Sequence, residues 1–190
     1  MPSPGPELVP RKYARIERER RFLLAGLPAS DRPARVCKIV DHYLTGTSLR
    51  LRHVHGPDGH QYKLTQKIPA AHPGPTQGLI TNIYLSKTEH DHLVAALPGR
   101  LLAKTRHSIP PLGIDVFDPP LHGLVLGEAE FSADAEMLAF QPPGYIHIEV
   151  TEDPRFTGGR LAQAPREDLI SWLTEYGISP QAGQNLDPPR

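Results

Sequence analysis

Charged side chains recur two residues apart in six separate stretches of this chain, and that spacing limits what it can fold into. In the first stretch, Glu17-Arg18-Glu19-Arg20-Arg21 runs into Phe22-Leu23-Leu24. Arg50 and Arg52 flank Leu51; Lys63, Thr65 and Lys67 alternate with Leu64 and Gln66; Lys104 and Arg106 flank Thr105. Glu128 and Glu130 flank Ala129, and Glu149, Thr151 and Asp153 alternate with Val150 and Glu152. In a β-strand, residues two apart share a face. Like charges held side by side on a sheet repel, so they need full solvation or a cation between them. One such strand is ordinarily a solvated sheet face. Six of them, with opposite faces mostly apolar or small, are better explained by a water-filled bore whose apolar outer side packs under helices.

The rest of the chain supplies the strands such a bore needs. Tyr13 to Leu24, Arg35 to Tyr43 and Thr47 to His55 read as strands, and the Gly56-Pro57-Asp58-Gly59 turn closes a hairpin onto His60 to Ile68. Ala70 to Gly78, rich in Pro and Gly, reads as a loop, and Leu79 to Leu85 as a strand. Ser86 with Glu89 forms a capping box for a helix to about Leu97. Strands follow at Arg100 to His107, Gly113 to Phe117 and Leu124 to Phe131; Ser132 caps a short helix through Phe140, and Tyr145 to Thr151 is the last strand. A final amphipathic helix over Pro165 to Tyr176 presents Leu169, Ile170, Trp172 and Leu173. About eight strands in one antiparallel series predict a mainly β (α+β) fold, an eight-stranded antiparallel β-barrel tunnel with a few flanking helices. The expected organisation is a flexible lead over residues 1–12, one domain over 13–178 and a flexible tail over 179–190.

Composition narrows the function. With 21 basic and 21 acidic residues the net charge is +0, so no global field favours nucleic acid or a membrane surface. One cysteine, Cys37, forms no internal disulfide, and no long apolar run or signal-peptide pattern is present, which points to the cytoplasm. Charge therefore acts through local arrangement. The proposed lining holds the acids Glu17, Glu19, Glu128, Glu130, Glu149 and Asp153, and the bases Arg21, Arg50, Arg52, Lys63, Lys67, Lys104 and Arg106. Clustered carboxylates without His or Cys suit hard cations such as Mg²⁺ or Mn²⁺. Arg and Lys facing a carboxylate-held metal suit a polyanionic phosphate chain.

At these residues the chain resembles the CYTH superfamily, the triphosphate tunnel metalloenzymes. Glu17, Glu19 and Arg21, in RIERERRFLL, occupy the family's Glu-x-Glu-x-Lys hallmark. Tyr43-Leu44, the RLR of Arg50 to Arg52, YKLTQK ending at Lys67, Lys104-Thr105-Arg106, the IDVF around Asp115, GEAE and EVTEDPRF follow in the family's order over about residues 13 to 162. Two positions depart from it: Arg21 replaces a lysine, and Thr81-Asn82-Ile83-Tyr84 stands where many relatives carry acids, a change that bears on specificity. The resemblance implies hydrolysis of inorganic or small organic triphosphates with Mg²⁺ or Mn²⁺. By position, Glu17, Glu19, Glu128 and Glu130 are the implied metal ligands, and Glu149 and Asp153 complete the acidic side or orient water. Arg50, Arg52, Lys67, Lys104 and Arg106 are the implied phosphate grip, Arg21 assists, and Lys63 joins on strand parity alone. Adenylate cyclisation of ATP and non-catalytic polyphosphate or nucleotide binding are the alternative readings. The expected partner is a small-molecule triphosphate, without nucleic acid or membrane, with a homodimer left open.

Other features read as ordinary. His90-Asp91-His92 is a solvated helix surface, since residues two apart on a helix do not face each other. His53 and His55 are exposed at a hairpin end. Thr157-Gly158-Gly159-Arg160 lacks P-loop spacing and is a turn. Cys37 packs and Trp172 anchors a helix to the barrel. Asp115 either orients a basic lining residue or satisfies a strand end.

Overall fold

The computed structural model describes residues 12–28, 33–69 and 76–179. The expected lead-in up to residue 11, the tail from 180 and most of the expected Ala70–Gly78 loop lie outside these; the last three residues of that loop already belong to a strand. The elements are β1 (Arg15–Leu23), β2 (Arg35–Leu44), β3 (Leu49–Gly56), β4 (Gly59–Pro69), β5 (Thr76–Leu85), α1 (Lys87–Ala96), β6 (Gly99–Ile109), β7 (Leu112–Phe117) and β8 (Val125–Glu130). After them come α2 (Asp134–Ala139), β9 (Ile148–Glu149), a 3-10 turn (Pro154–Phe156), α3 (Gly158–Leu161) and α4 (Arg166–Glu175).

The strands run β5-β4-β3-β2-β6-β7-β8-β1, and β1 pairs back onto β5, closing an antiparallel eight-stranded barrel. Turn chemistry sets the local registers. The β3–β4 hairpin closes at the Gly56↔Gly59 pair, with Gly59 at φ 94°, a value a side chain would strain. α1 starts with a complete capping box: Ser86 accepts from the Glu89 amide while the Glu89 carboxylate accepts from the Ser86 amide.

Two apolar clusters fix the barrel. Outside, Phe22, Leu24, Ile109, Leu112, Ile114, Val125 and Ala129 pack beneath Phe131, Phe140, Tyr145 and Ile146. At one end, Leu23, Leu102, Phe117 and Leu126 point inward and meet Phe156, Leu161, Leu169, Trp172 and Leu173. Each fully buried side chain of this kind contributes about 1.5–3 kcal/mol. Trp172 thus anchors α4 to the barrel as expected, but Ile170 is exposed rather than part of the apolar side. Apolar packing is also not confined to the outer surface, because this end of the bore is filled.

Two further expectations are corrected. Tyr145 to Thr151 is not a full strand: only Ile148–Glu149 pairs with β1, beside the segment that β5 leaves free. Ser132 does not cap α2; the cap position is Ala133, and the Ser132 hydroxyl and amide instead donate to Glu136. Among the described residues no helix is long and apolar enough to cross a membrane.

Candidate active site

Strand parity delivers five of the six charged stretches to one cavity of about 910 Å³ inside the barrel. Its lining includes Glu17, Glu19 and Arg21 from β1, Arg50 and Arg52 from β3, and Lys63 and Lys67 from β4. Lys104 and Arg106 from β6 and Glu128 and Glu130 from β8 complete the set. The acids form one wall because β1 and β8 are neighbours: Glu19 lies opposite Glu130, and Arg21 opposite Glu128.

Within this wall the carboxylates are not equivalent. Glu19 is buried, and burial, reinforced by the Glu128 charge, pushes its carboxyl up from 4.5 to about 7. Its neighbouring cation, Arg21 Nε, is 4.0 Å away. Burial works on Glu128 too, but direct contact with the Arg106 guanidinium, aided by Lys104 and Lys67, holds it well below the ordinary range. Glu17 pairs with Lys67 at 2.7 Å. Burial opposes the charge on Lys67, yet Glu19 and Glu17 together keep its ammonium protonated above the ordinary lysine value.

The basic banks rest on two carboxylates with no exposed surface, Asp41 and Asp115. Asp41, on β2, accepts two hydrogen bonds from Arg52 at 2.6 and 2.7 Å, and Arg50 Nε lies 3.5 Å from it. Asp115, on β7, accepts two at 2.7 Å from Arg106 and one from Lys104. Such forks fix guanidinium orientation as well as charge. Asp115 therefore orients basic lining residues. Asp41 was not among the sequence candidates; the signal was a lone acid on the strand face it shares with Cys37, Ile39 and Tyr43. Lys63 has no ion pair among the described residues, and burial, then Arg52 and Arg50, lowers its ammonium.

Two expected placements change. Glu149 and Asp153 do not line the barrel cavity. They face a separate outer cavity of about 760 Å³ with Arg20, Leu138, Val150 and Tyr176. The reason is parity: Arg20 points out of the barrel where Glu19 and Arg21 point in, and it holds Glu149 through two hydrogen bonds at 2.9 and 2.6 Å. Asp153 is engaged by Arg155 and the Tyr176 hydroxyl. Arg21 is braced from this segment instead: its amide donates to the Thr151 hydroxyl at 3.0 Å, and Nη2 to the Thr151 carbonyl at 2.8 Å.

Next, Thr157-Gly158-Gly159 is more than a turn, because all three residues line the cavity. A Cβ on Gly158 would stand 1.9 Å from the Tyr43 hydroxyl, so only glycine lets α3 approach this lining tyrosine. His53 and His55 lie at the hairpin end as expected, His55 exposed and His53 partly so, and there they join a stacked row. His53 Nε2 lies 2.9 Å from His60 Nδ1; His53 stacks on Tyr62 at 4.6 Å, and His90 of α1 follows at 5.0 Å.

On β5 the inward residues are Ile80 and Asn82, both in the lining, and Asn82 Oδ1 accepts from Thr65 at 2.7 Å. Among the described residues no three His, Cys, Asp or Glu side chains converge on one point. Glu17 and Glu128 are drawn toward Lys67 and Arg106 instead. The donor chemistry nevertheless fits a hard divalent cation: four adjacent carboxylates, one of them, Glu19, buried and raised by that burial and by the Glu128 charge.

No family model matches the chain. The chain is 34% identical over 155 residues to a protein named inorganic triphosphatase from Nitrosomonas europaea, covering 77% of this chain and 96% of that one. A crystal structure of an inorganic triphosphatase is 29% identical and superposes with a TM-score of 0.53 over 79% of this chain and 96% of its own. A Pyrococcus horikoshii structure at 15% identity and a TM-score of 0.51 shares the fold, covering 86% of this chain and 92% of its own.

Proposed function

The chain belongs to the CYTH superfamily, the triphosphate tunnel metalloenzymes, and from that premise we propose that it hydrolyses inorganic triphosphate inside its barrel. The observation that carries this reading is the enclosure, in one cavity, of a four-carboxylate wall on β1 and β8 with arginines and lysines on β3, β4 and β6. A metal-chelated phosphate chain offers a cation and a row of anions together, which matches both banks.

Each bank has its own task. Glu17, Glu19, Glu128 and Glu130 would hold Mg²⁺ or Mn²⁺, which supplies Lewis-acid neutralisation of phosphate oxygens and lowers the barrier to water attack. Arg50, Arg52, Lys63 and Lys67 grip the chain from β3 and β4, while Lys104 and Arg106 grip it from β6. Because Asp41 and Asp115 pre-orient Arg52, Arg106 and Lys104, little reorganisation is needed when charge develops on the departing phosphate. Arg21, braced by Thr151, adds positive charge beside the acidic wall. Phosphoryl transfer needs chiefly positioning and charge stabilisation, and this lining supplies both. Lone Cys37 and the absence of an apolar run support a cytoplasmic enzyme with a small-molecule substrate.

The test is phosphate release from tripolyphosphate with Mg²⁺ or Mn²⁺. Release that disappears in a folded Glu130→Gln variant supports the reading. Absence of release from every triphosphate tried sinks it, and cyclic AMP formed from ATP replaces it with cyclisation.

A further inference from the structure

Arg20 and Arg21 are chain neighbours on opposite sides of the barrel wall, and the segment from Glu149 to Thr151 touches both. On the outside, Arg20 donates from all three of its side-chain nitrogens. Nε and Nη2 reach the two Glu149 oxygens at 2.9 and 2.6 Å, and Nη1 reaches the carbonyls of Phe140 and Met137 at 2.9 and 3.3 Å. The guanidinium also lies 5.5 Å from the ring centres of Phe22 and Phe140. Glu149 Oε1 accepts a further hydrogen bond, from the Thr151 hydroxyl at 2.6 Å. That hydroxyl accepts in turn from the Arg21 amide, and the Thr151 carbonyl accepts from Arg21 Nη2.

We propose that Arg20, Glu149 and Thr151 form a bracing chain through the barrel wall that positions the Arg21 guanidinium for phosphate, so that an ion pair outside the cavity sets substrate affinity inside it. The chain rests on the triphosphatase reading for the phosphate that Arg21 meets.

Arg21 needs such support more than its basic neighbours do. Arg52 and Arg106 are held by carboxylate forks from Asp41 and Asp115. Arg21 has no fork: the carboxylate beside it, Glu19, is 4.0 Å from Nε, and that buried nitrogen has no hydrogen-bond partner among the described residues. One hydrogen bond, to the Thr151 carbonyl, therefore sets the guanidinium, and it is only as well placed as the segment that carries it. That segment is short. β9 pairs with β1 at Phe22 and Leu23 alone, and beyond it the Val150 amide donates to the Arg21 carbonyl at 2.8 Å. The Thr151 hydroxyl fixes the rest, since donating to Glu149 leaves its oxygen free to accept from Arg21. Glu149 can serve because Arg20 holds both of its oxygens. Arg20, Glu149 and Thr151 also line the outer cavity of about 760 Å³, so the outer end of the chain is open to solvent while Thr151 and Arg21 are buried.

The experiment measures KM and kcat of the full chain for tripolyphosphate with Mg²⁺, and the affinity of a non-hydrolysable imidotriphosphate by calorimetry. Thr151→Val removes the hydroxyl, and Glu149→Gln breaks the Arg20 fork. Each is expected to raise KM and weaken imidotriphosphate about 5-fold, the loss of one ordinary hydrogen bond. kcat is expected to stay within about 2-fold, because the lost binding is common to substrate and transition state. Thr151→Ser keeps the hydroxyl and is expected to match the parent. In an Arg21→Met background Glu149→Gln is expected to change affinity no further, since its effect passes through Arg21. Melting curves check the fold of each variant; if Arg21→Met does not fold, the Thr151→Val and Thr151→Ser pair decides. Unchanged affinity in either Glu149→Gln or Thr151→Val overturns the inference, whatever the melting point does. So does a Thr151→Ser variant as weak as Thr151→Val, or an undiminished effect of Glu149→Gln without Arg21. A parent that binds imidotriphosphate but releases no phosphate from tripolyphosphate defeats the triphosphatase reading alone, and the variant affinities still judge the bracing chain.

Discussion

Replacing Asp41 by asparagine removes a buried charge beneath the basic bank while keeping its shape. Asp41 has no exposed surface and sits between Arg52, at 2.6 and 2.7 Å, and Arg50. Burial by itself would raise its carboxyl, but the charges of Arg52 and Arg50 outweigh burial and lower it from 3.8 to about 2. That difference corresponds to roughly 2 kcal/mol, at about 1.4 kcal/mol per unit. Because the folded value is depressed, this stability is present above about pH 4 and is lost as pH falls through about 2. The substitution does more than neutralise: it leaves the Arg52 guanidinium buried without its counter-ion, a change that costs about 3–5 kcal/mol in comparable buried pairs. At about 2–4 °C per kcal/mol for a domain of this size, Asp41→Asn should melt about 6–20 °C lower than the parent at neutral pH. Thermal unfolding followed by circular dichroism at pH 7 and again near pH 3 reads both effects, and the gap between the two proteins should narrow at the lower pH. Tripolyphosphate KM should rise in the same variant, because Arg52 is no longer held in place. A melting point within about 1 °C of the parent at pH 7, far inside the shift expected from the stability scale, would refute this account of the bank.

Two further predictions follow from the same interior. Burial and Glu128 raise Glu19 to about 7, so the metal-free protein binds this proton more tightly folded than unfolded. Its stability should therefore increase by up to about 3 kcal/mol as pH falls from above 7 toward 4.5, and saturating Mg²⁺ should flatten that dependence; urea titrations across this range that give the same slope with and without metal count against it. Gly158→Ala places a methyl 1.9 Å from the Tyr43 hydroxyl and should destabilise the protein by about 1–3 kcal/mol, partly restored by Tyr43→Phe in the same chain; an unchanged denaturation midpoint removes the claim that this approach is tight.

The barrel and its charged interior were legible because alternation survives in a single sequence. Glu17, Glu19 and Arg21 share parity, as do the paired charges of β3, β4, β6 and β8, and the fold puts all of them in one cavity. Parity does not say which face is the inner one. Glu149 and Asp153 alternate as convincingly as Glu128 and Glu130, yet only Ile148–Glu149 pairs with β1, and Arg20 claims Glu149 on the outside. Asp41 escaped notice for the opposite reason: it carries its charge alone between Val40 and His42, and its role exists only through Arg52 on a neighbouring strand. Gly158 depends on a long-range approach to Tyr43 that no local spacing records. Turn and cap chemistry, as at Ser86 and Gly59, was readable because it is settled within four residues.

The opposed parity of Arg20 and Arg21 on β1 also constrains descent. Phe22 and Leu24 are locked into an external apolar cluster, so β1 cannot slide by one residue without turning its acids outward. Loss or gain of a single codon inside Arg15–Leu23 is therefore ruinous, whereas a lineage can relocate a ligand along this strand in strides of two. Variation among such proteins should come as even-numbered hops on the staves of the barrel, with odd-length changes confined to the connections between them and to bulges such as the one where Glu17 pairs with Gly78 and Arg18 with Thr76.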